Sequence, residues 1–260
     1  MKNLILSLIL ALSVTTSSLA AEITNPFYLP PKKALTSQTT LSYGKYHMRK
    51  KSDLTPDYRL RLKVAEQQLS YGISPKVAIL GNILNTWQRA KTADSITDHS
   101  DKNVDWSVGA LYDLYHQNDL LLNLKMLYLQ RETHHFGGAY KGFNIDVKSG
   151  YDLKYFLPYL GGQVEIPIAQ RKDADNDPKY LTYAGIYKNF SDVVAADLGV
   201  IYSYDKHEKE KSFDGRAQIN FFFTPKIALG GFFNYTFYNK SRHNGQADAH
   251  TIGSALKVQF

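Results

Sequence analysis

The side chains of this chain best able to do chemistry are eight histidines: His47, His99, His116, His134, His135, His207, His243 and His250. Hydrolysis needs a nucleophile or an activated water within hydrogen-bond reach of an oriented base. The local groupings are His134-His135 beside Glu132, and Asp248 with His250, and no motif sets a serine next to them. A metal site from His134, His135 and Glu132 is weakened because neighbouring residues of a strand point to opposite faces. The chain has no cysteine, which excludes disulfides, thiolate metal sites and cysteine nucleophiles. Gly137-Gly138 and Gly161-Gly162 read as turn or strand glycines, since neither has the spacing of a phosphate-cradling loop. The expectation is a non-enzyme with no cofactor and no metal, its histidines solvated in loops; a surface-exposed hydrolase is the least favoured alternative.

Charge is the other chemical resource. Lys+Arg number 31 against Asp+Glu 24, a formal charge of +7, but the basic residues are dispersed among acids, so no nucleic-acid groove is expected. With 43% hydrophobic residues, 19 Tyr and 13 Phe, the chain is too apolar to stay unfolded and leans towards strand-forming aromatics.

The elements that must position these charges repeat with period two. Phe143, Ile145, Val147 and Tyr151 alternate with Asn144, Asp146, Lys148 and Asp152. Val194, Ala196, Leu198, Val200 and Tyr202 form a second apolar row, Leu120, Leu122, Leu124 and Met126 a third, and Tyr58, Leu60, Leu62 and Val64 a fourth, separated by Arg59, Arg61 and Lys63. Alternation of this kind means strands with one greasy and one polar face. The run 65–69 breaks the pattern, which predicts a bulge.

The connections alternate as well. Short turns are expected at 72–76, 116–119, 153–157, 189–192 and 223–226, and longer charged segments at 50–57, 90–102, 133–141, 170–179, 207–211 and 240–248. Eleven connections imply about twelve antiparallel strands, from 36–49 to 249–260, with short turns at one rim and long loops at the other. A soluble sandwich or lipocalin-like barrel shares the alternation; aromatics near row ends, among them Tyr71, Trp87, Trp106, Tyr128, Tyr151, Tyr202, Tyr204, Phe237 and Tyr238, suit interfacial girdles instead.

Residues 1–21 match a secretory signal peptide, with Lys2, an apolar stretch from Leu4 to Val14 and small residues at 18–21. No later stretch has the length and apolarity of a membrane-spanning helix. Residues 22–35 contain Pro26, Phe27, Tyr28, Pro30 and Pro31; prolines this dense cannot make a central strand. They form either a lead-in to the barrel or a plug in its lumen.

The last strand places Ile252, Leu256, Val258 and a terminal Phe260 at alternating positions. A chain ending this way resembles Gram-negative outer-membrane proteins, whose C-terminal signal is read by the barrel assembly machinery. The resemblance implies an all-β transmembrane antiparallel up-and-down barrel over 36–260 in the cell outer membrane, touching outer-membrane lipid, with long loops extracellular and both termini periplasmic. It assigns Leu256, Val258 and Phe260 to the assembly signal.

If the apolar rows face lipid, the inward cations are Arg59, Arg61, Lys63, Lys125, Lys148, Arg216 and Lys257. The inward acids are then Asp105, Asp113, Asp146, Asp152, Glu165, Asp197, Asp205 and Asp214. Seven against eight gives no selectivity, although Arg59, Arg61 and Lys63 would form one wall of a constriction. The functional expectation is a porin-like channel for ions or small hydrophilic solutes; the alternative is a non-conducting barrel whose loops bind a ligand or partner.

Overall fold

The computed structural model describes residues 23–48, 58–92, 99–117, 119–133, 138–169, 177–206, 209–240 and 247–260. The expected signal peptide and the His134-His135 pair lie outside them.

Twelve strands follow the predicted order: β1 Leu35–Met48, β2 Tyr58–Ser74, β3 Val77–Thr92, β4 His99–Gln117, β5 Leu120–Thr133, β6 Gly138–Tyr151, β7 Leu157–Ala169, β8 Lys179–Ser191, β9 Val194–Asp205, β10 Glu210–Thr224, β11 Ile227–Lys240 and β12 Ala247–Gln259. Each pairs antiparallel with its sequence neighbour, and β1 pairs with β12 from Thr36↔Gln259 to Met48↔Ala247, so the sheet closes on itself. Closure leaves no unpaired edge. Phe260 finishes the seam by exchanging backbone hydrogen bonds with Leu35, its amide donating at 2.8 Å.

The connections alternate between two rims: on one, four of the five are two-residue turns and the fifth spans 152–156, and on the other they run from four to nine residues. The strands run further into several long links than the sequence suggested: β3 continues to Thr92 and β4 begins at His99, where a loop over 90–102 was expected. Backbone pairing across β3–β4 persists as far as Ala90↔His99, so polar composition there marks strand that projects past the apolar belt.

The outer wall is apolar in a belt. Leu160, Leu198 and Ile252 are 65%, 60% and 59% exposed, and Ile83, Phe143, Ile186, Ile219 and Phe233 share that outward orientation. Water would penalise so continuous an exposed apolar surface, whereas hydrocarbon would not. Of the expected girdle residues, Tyr71, Trp87, Tyr151, Tyr202, Phe237 and Tyr238 are exposed on this wall. Trp106 packs against Tyr128 with ring centroids 5.6 Å apart.

Strand β2 corrects the sequence reading. Its pairing with β1 runs unbroken from Met48↔Tyr58 to Leu35↔Tyr71, so there is no bulge at 65–69; the irregularity lies between Gly72 and Ser74, against β3. Unbroken register keeps parity, and the even positions Glu66, Gln68 and Ser70 line the central cavity. Leu60, Leu62 and Val64 therefore point inward as well, and Arg59, Arg61 and Lys63 are exposed on the outer face with Leu69, Tyr71 and Ile73. What changes at 65–69 is the chemistry of each face, not the geometry of the strand.

Candidate functional site

The inside of the barrel is built from the other half of each strand pattern. Strand β6 aims Asn144, Asp146 and Lys148 inward while Phe143 and Val147 face out. The same cavity is lined by Asn123 and Lys125 of β5, Tyr159 and Gln163 of β7, Tyr183 of β8, Asp197 of β9, Arg216, Gln218 and Asn220 of β10, and Lys257 of β12. Together they surround a cavity of about 600 Å³.

Of the residues assigned to the lumen from sequence, Lys125, Asp146, Lys148, Asp197 and Arg216 line this cavity. Glu165 is buried nearer the long-loop rim, where Arg131 clasps it through two nitrogens at 2.8 and 2.9 Å and reaches Asp105 at 3.3 Å. Such a fork fixes guanidinium and carboxylate in one plane. Arg59, Arg61 and Lys63 are not part of the lumen, because their parity turns them outward.

The lumen charges are held in a network. Lys125 Nζ lies 3.1 Å from Asp146, whose carboxylate also accepts a hydrogen bond from the Tyr183 hydroxyl at 2.7 Å. The Tyr159 hydroxyl donates to Asp197 at 2.6 Å, and Arg216 donates to Gln218, which in turn donates to Asn220 at 2.8 Å. The tyrosines act as rigid arms: each spans part of the lumen from one strand and ties down an acid on another. Sequence reading missed this role, because Tyr159 and Tyr183 fall in no cluster along the chain and their acids lie 38 and 37 residues away.

The floor of the cavity is the segment before β1. Thr24, Asn25, Pro26, Tyr28 and Pro30 line it, and Ile23 and Pro30 are fully buried. Ile23 sits in a cluster with Leu121, Leu157, Tyr187, Ala195, Phe222 and Ala228, inward residues beside the short turns. The segment therefore fills the short-turn end of the lumen. Its prolines leave few free amides, and its carbonyls find donors on the wall: Lys148 Nζ on Pro26 O at 3.0 Å and Asn123 Nδ2 on Phe27 O at 3.3 Å. Tyr28 donates to Gln259 at 3.0 Å beneath the Lys257 ammonium, 4.6 Å from its ring centroid, and Thr24 meets the Tyr187 hydroxyl at 3.0 Å.

Two glycines make room. A Cβ on Gly72 would stand 2.0 Å from the Pro31 carbonyl oxygen and 2.4 Å from that of Pro30, and one on Gly150 would meet the Phe27 ring at 2.6 Å. Backbone bonds at Gly72, donated by Lys33 at 2.7 Å and accepted by Ala34 at 3.0 Å, lock the chain as it turns into β1. Lys33 makes that corner with φ 67°, left-handed backbone uncommon outside glycine. Of the two possibilities for residues 22–35, the described part is a luminal segment.

Among the described residues no cluster of His, Asp and Glu could hold a metal ion. Asp248 faces His47 across the β1–β12 seam, two residues along the strand from His250. At the long-loop rim, Asp177 accepts a hydrogen bond from Lys206 at 2.9 Å, which holds that exposed ammonium above its ordinary pKa.

No protein-family model matches the chain, and no curated protein matches it. Solved structures do match in fold. An outer-membrane channel of Pseudomonas putida F1 aligns over 91% of this chain and 98% of its own, at 12% identity and a TM-score of 0.70. The translocator domain of the autotransporter NalP from Neisseria meningitidis aligns over 93% of both chains at 10% identity and a TM-score of 0.61. The transport unit of the autotransporter AIDA-I from Escherichia coli covers 91% of this chain and 96% of its own, at 13% identity and 0.55. Strand order, closure and these likenesses agree: the chain has the twelve-stranded closed β-barrel fold of outer-membrane channels and autotransporter barrels.

Proposed function

We propose that the protein is an outer-membrane channel for small hydrophilic solutes or ions, narrowed at its short-turn end by its own residues 23–34. One observation carries the reading: a polar, charge-lined cavity of about 600 Å³ sits inside a closed wall whose outside is an apolar belt. An apolar lumen would be a filled core; this one presents Glu66, Lys125, Asp146, Lys148, Asp197, Arg216 and Lys257. Asn144 Oδ1 and Asn220 Nδ2 are buried with no partner among the described residues, and amides so placed take water as partner.

On this reading the long loops face the cell exterior, both ends of the chain face the periplasm, and Leu256, Val258 and Phe260 engage the assembly machinery. Four cations against three acids on the cavity wall favour anions modestly. A second reading, a non-conducting barrel whose loops bind a partner, draws on the extent of the plug contacts. Single-channel recording of the full chain in planar bilayers separates them: discrete steps of small conductance support the channel, and an electrically silent, correctly folded barrel supports the alternative.

A further inference from the structure

The cations of the lumen differ in what they touch. Lys125 is paired with Asp146, and the acids of the cavity wall are all held: Asp146 by Lys125 and the Tyr183 hydroxyl, Asp197 by the Tyr159 hydroxyl at 2.6 Å, Glu66 by the Asn82 amide at 2.9 Å. Lys148, Arg216 and Lys257 have contacts of another kind. Lys148 gives one hydrogen bond to Pro26 O at 3.0 Å and lies 5.6 Å from the Phe27 ring centroid and 5.8 Å from that of Tyr183. Lys257 stands over the Tyr28 ring at 4.6 Å, and Arg216 donates to the Gln218 side chain. A carbonyl, an amide oxygen and ring faces orient a cation without cancelling its charge, and each of the three keeps N–H donors unused.

The three heads gather above the floor of the lumen. Lys148 and Lys257 both rest on the segment that closes the short-turn end, through Pro26 and Tyr28. Lys148 is near enough for its charge to act on Lys257, and Arg216 is near enough to act on Lys148, as are Lys125, Asp146 and Asp197. Four cations therefore face two acids that already accept hydrogen bonds. Like charges drawn together away from bulk water repel, and a bound anion would relieve that repulsion.

Amides surround the same place. Gln38 of β1 pairs with Lys257 on one side and with Gln68 of β2 on the other, and Asn234 of β11 pairs with Arg216. All of them line the cavity. Asn220 Nδ2 and Asn234 Oδ1 are buried with no partner among the described residues, one a spare donor and the other a spare acceptor. Amides give and accept hydrogen bonds as hydroxyl groups do, so a solute hydroxyl can replace the water that such groups otherwise hold. The cavity, at about 600 Å³, has the size of a small-molecule site.

We propose that Lys148, Arg216 and Lys257 form a binding site for an oxyanion, the carboxylate or phosphate of a small polyhydroxylated solute such as a sugar acid or sugar phosphate. The site names the substrate class of the proposed channel and rests on that reading for its purpose, but its occupancy is measured without any current.

The test is isothermal titration calorimetry on the full chain in detergent with gluconate, glucose 6-phosphate and glucose, which share a hydroxylated body and differ in charge. At least one of the two anions is expected to bind, with glucose weaker by about tenfold or more. Lys257→Gln should weaken anion binding roughly tenfold, and Lys257→Gln with Arg216→Gln roughly a hundredfold, because each lost charge-assisted hydrogen bond is worth about a factor of ten. Lys141→Gln, which removes an exposed cation from the outer wall, keeps wild-type affinity. Binding of neither anion, equal binding of glucose, wild-type affinity in Lys257→Gln or an equal loss in Lys141→Gln overturns the proposal. Should the double variant fail to fold, Lys257→Gln alone decides. An electrically silent barrel that still prefers the anions removes the channel and keeps the site; a conducting barrel indifferent to all three solutes removes the site and keeps the channel.

Discussion

Strands β2 and β6 look alike in sequence, each an apolar row threaded with charge, yet they turn opposite rows to the outside. In β6 the charges Asp146 and Lys148 face the lumen and Phe143 and Val147 face out. In the long-loop half of β2 the leucines face in and Arg59, Arg61 and Lys63 face out, while its short-turn half, with Glu66 and Gln68 inside and Leu69 and Tyr71 outside, follows the β6 rule. On the proposed membrane setting, greasy residues need face outward only at hydrocarbon depth. Beyond it both faces are polar surroundings, and the assignment is free to invert.

Breaking the lumen side of this contrast should have the largest effect. Deleting residues 23–31 removes the floor of the cavity and is expected to raise single-channel conductance roughly threefold or more; Gly72→Ala, whose Cβ would displace the Pro30 and Pro31 carbonyls, should give a smaller rise of the same sign. Unchanged conductance in both would mean that the segment does not obstruct the path.

Depth dependence is sharpened by exchanging the two kinds of outward residue. Leu198→Arg puts a cation where the wall is 60% exposed and apolar, and should cost about 2–4 kcal/mol of unfolding stability in lipid vesicles. Arg61→Leu, on the charged long-loop half of β2, should change stability by less than about 1 kcal/mol. Similar costs at both places would erase the distinction between belt and rim.

The smallest effect expected is on selectivity. Asp146→Asn removes the carboxylate paired with Lys125 from the lumen and should shift the reversal potential under a salt gradient towards anions. Arg61→Gln, outside the wall, should not move it.

Much of the fold was legible because each strand repeats one simple constraint. Period-two rows, alternating connection lengths and the tail ending in Phe260 each bear on closure, and the twelve-strand count follows from the turns alone. The lumen was legible where the opposite face belongs to the apolar belt: Lys125, Asp146, Lys148, Asp197 and Arg216 lie inside as their neighbours demand. Arg59, Arg61 and Lys63 were assigned to the wrong side because alternation reports two faces without saying which is wet, and a switch in chemistry at 65–69 resembles a slip in register. Tyr159 and Tyr183 were invisible for a different reason. Their acids stand on the strand next but one, β9 for Tyr159 and β6 for Tyr183, 38 and 37 residues away along the chain, a relation no local spacing encodes.

The central claim is which face meets lipid, and two adjacent positions on β5 decide it. Lys125 lines the cavity and Met126, 44% exposed, lies on the outer wall. Because the chain has no cysteine, Lys125→Cys and Met126→Cys each carry a single nitroxide label whose collisions with lipid-soluble oxygen and a water-soluble nickel chelate can be compared in vesicles. The account predicts that the label at 126 relaxes with oxygen and ignores nickel, while the label at 125 does the reverse. A label at 125 in hydrocarbon and one at 126 in water would contradict it.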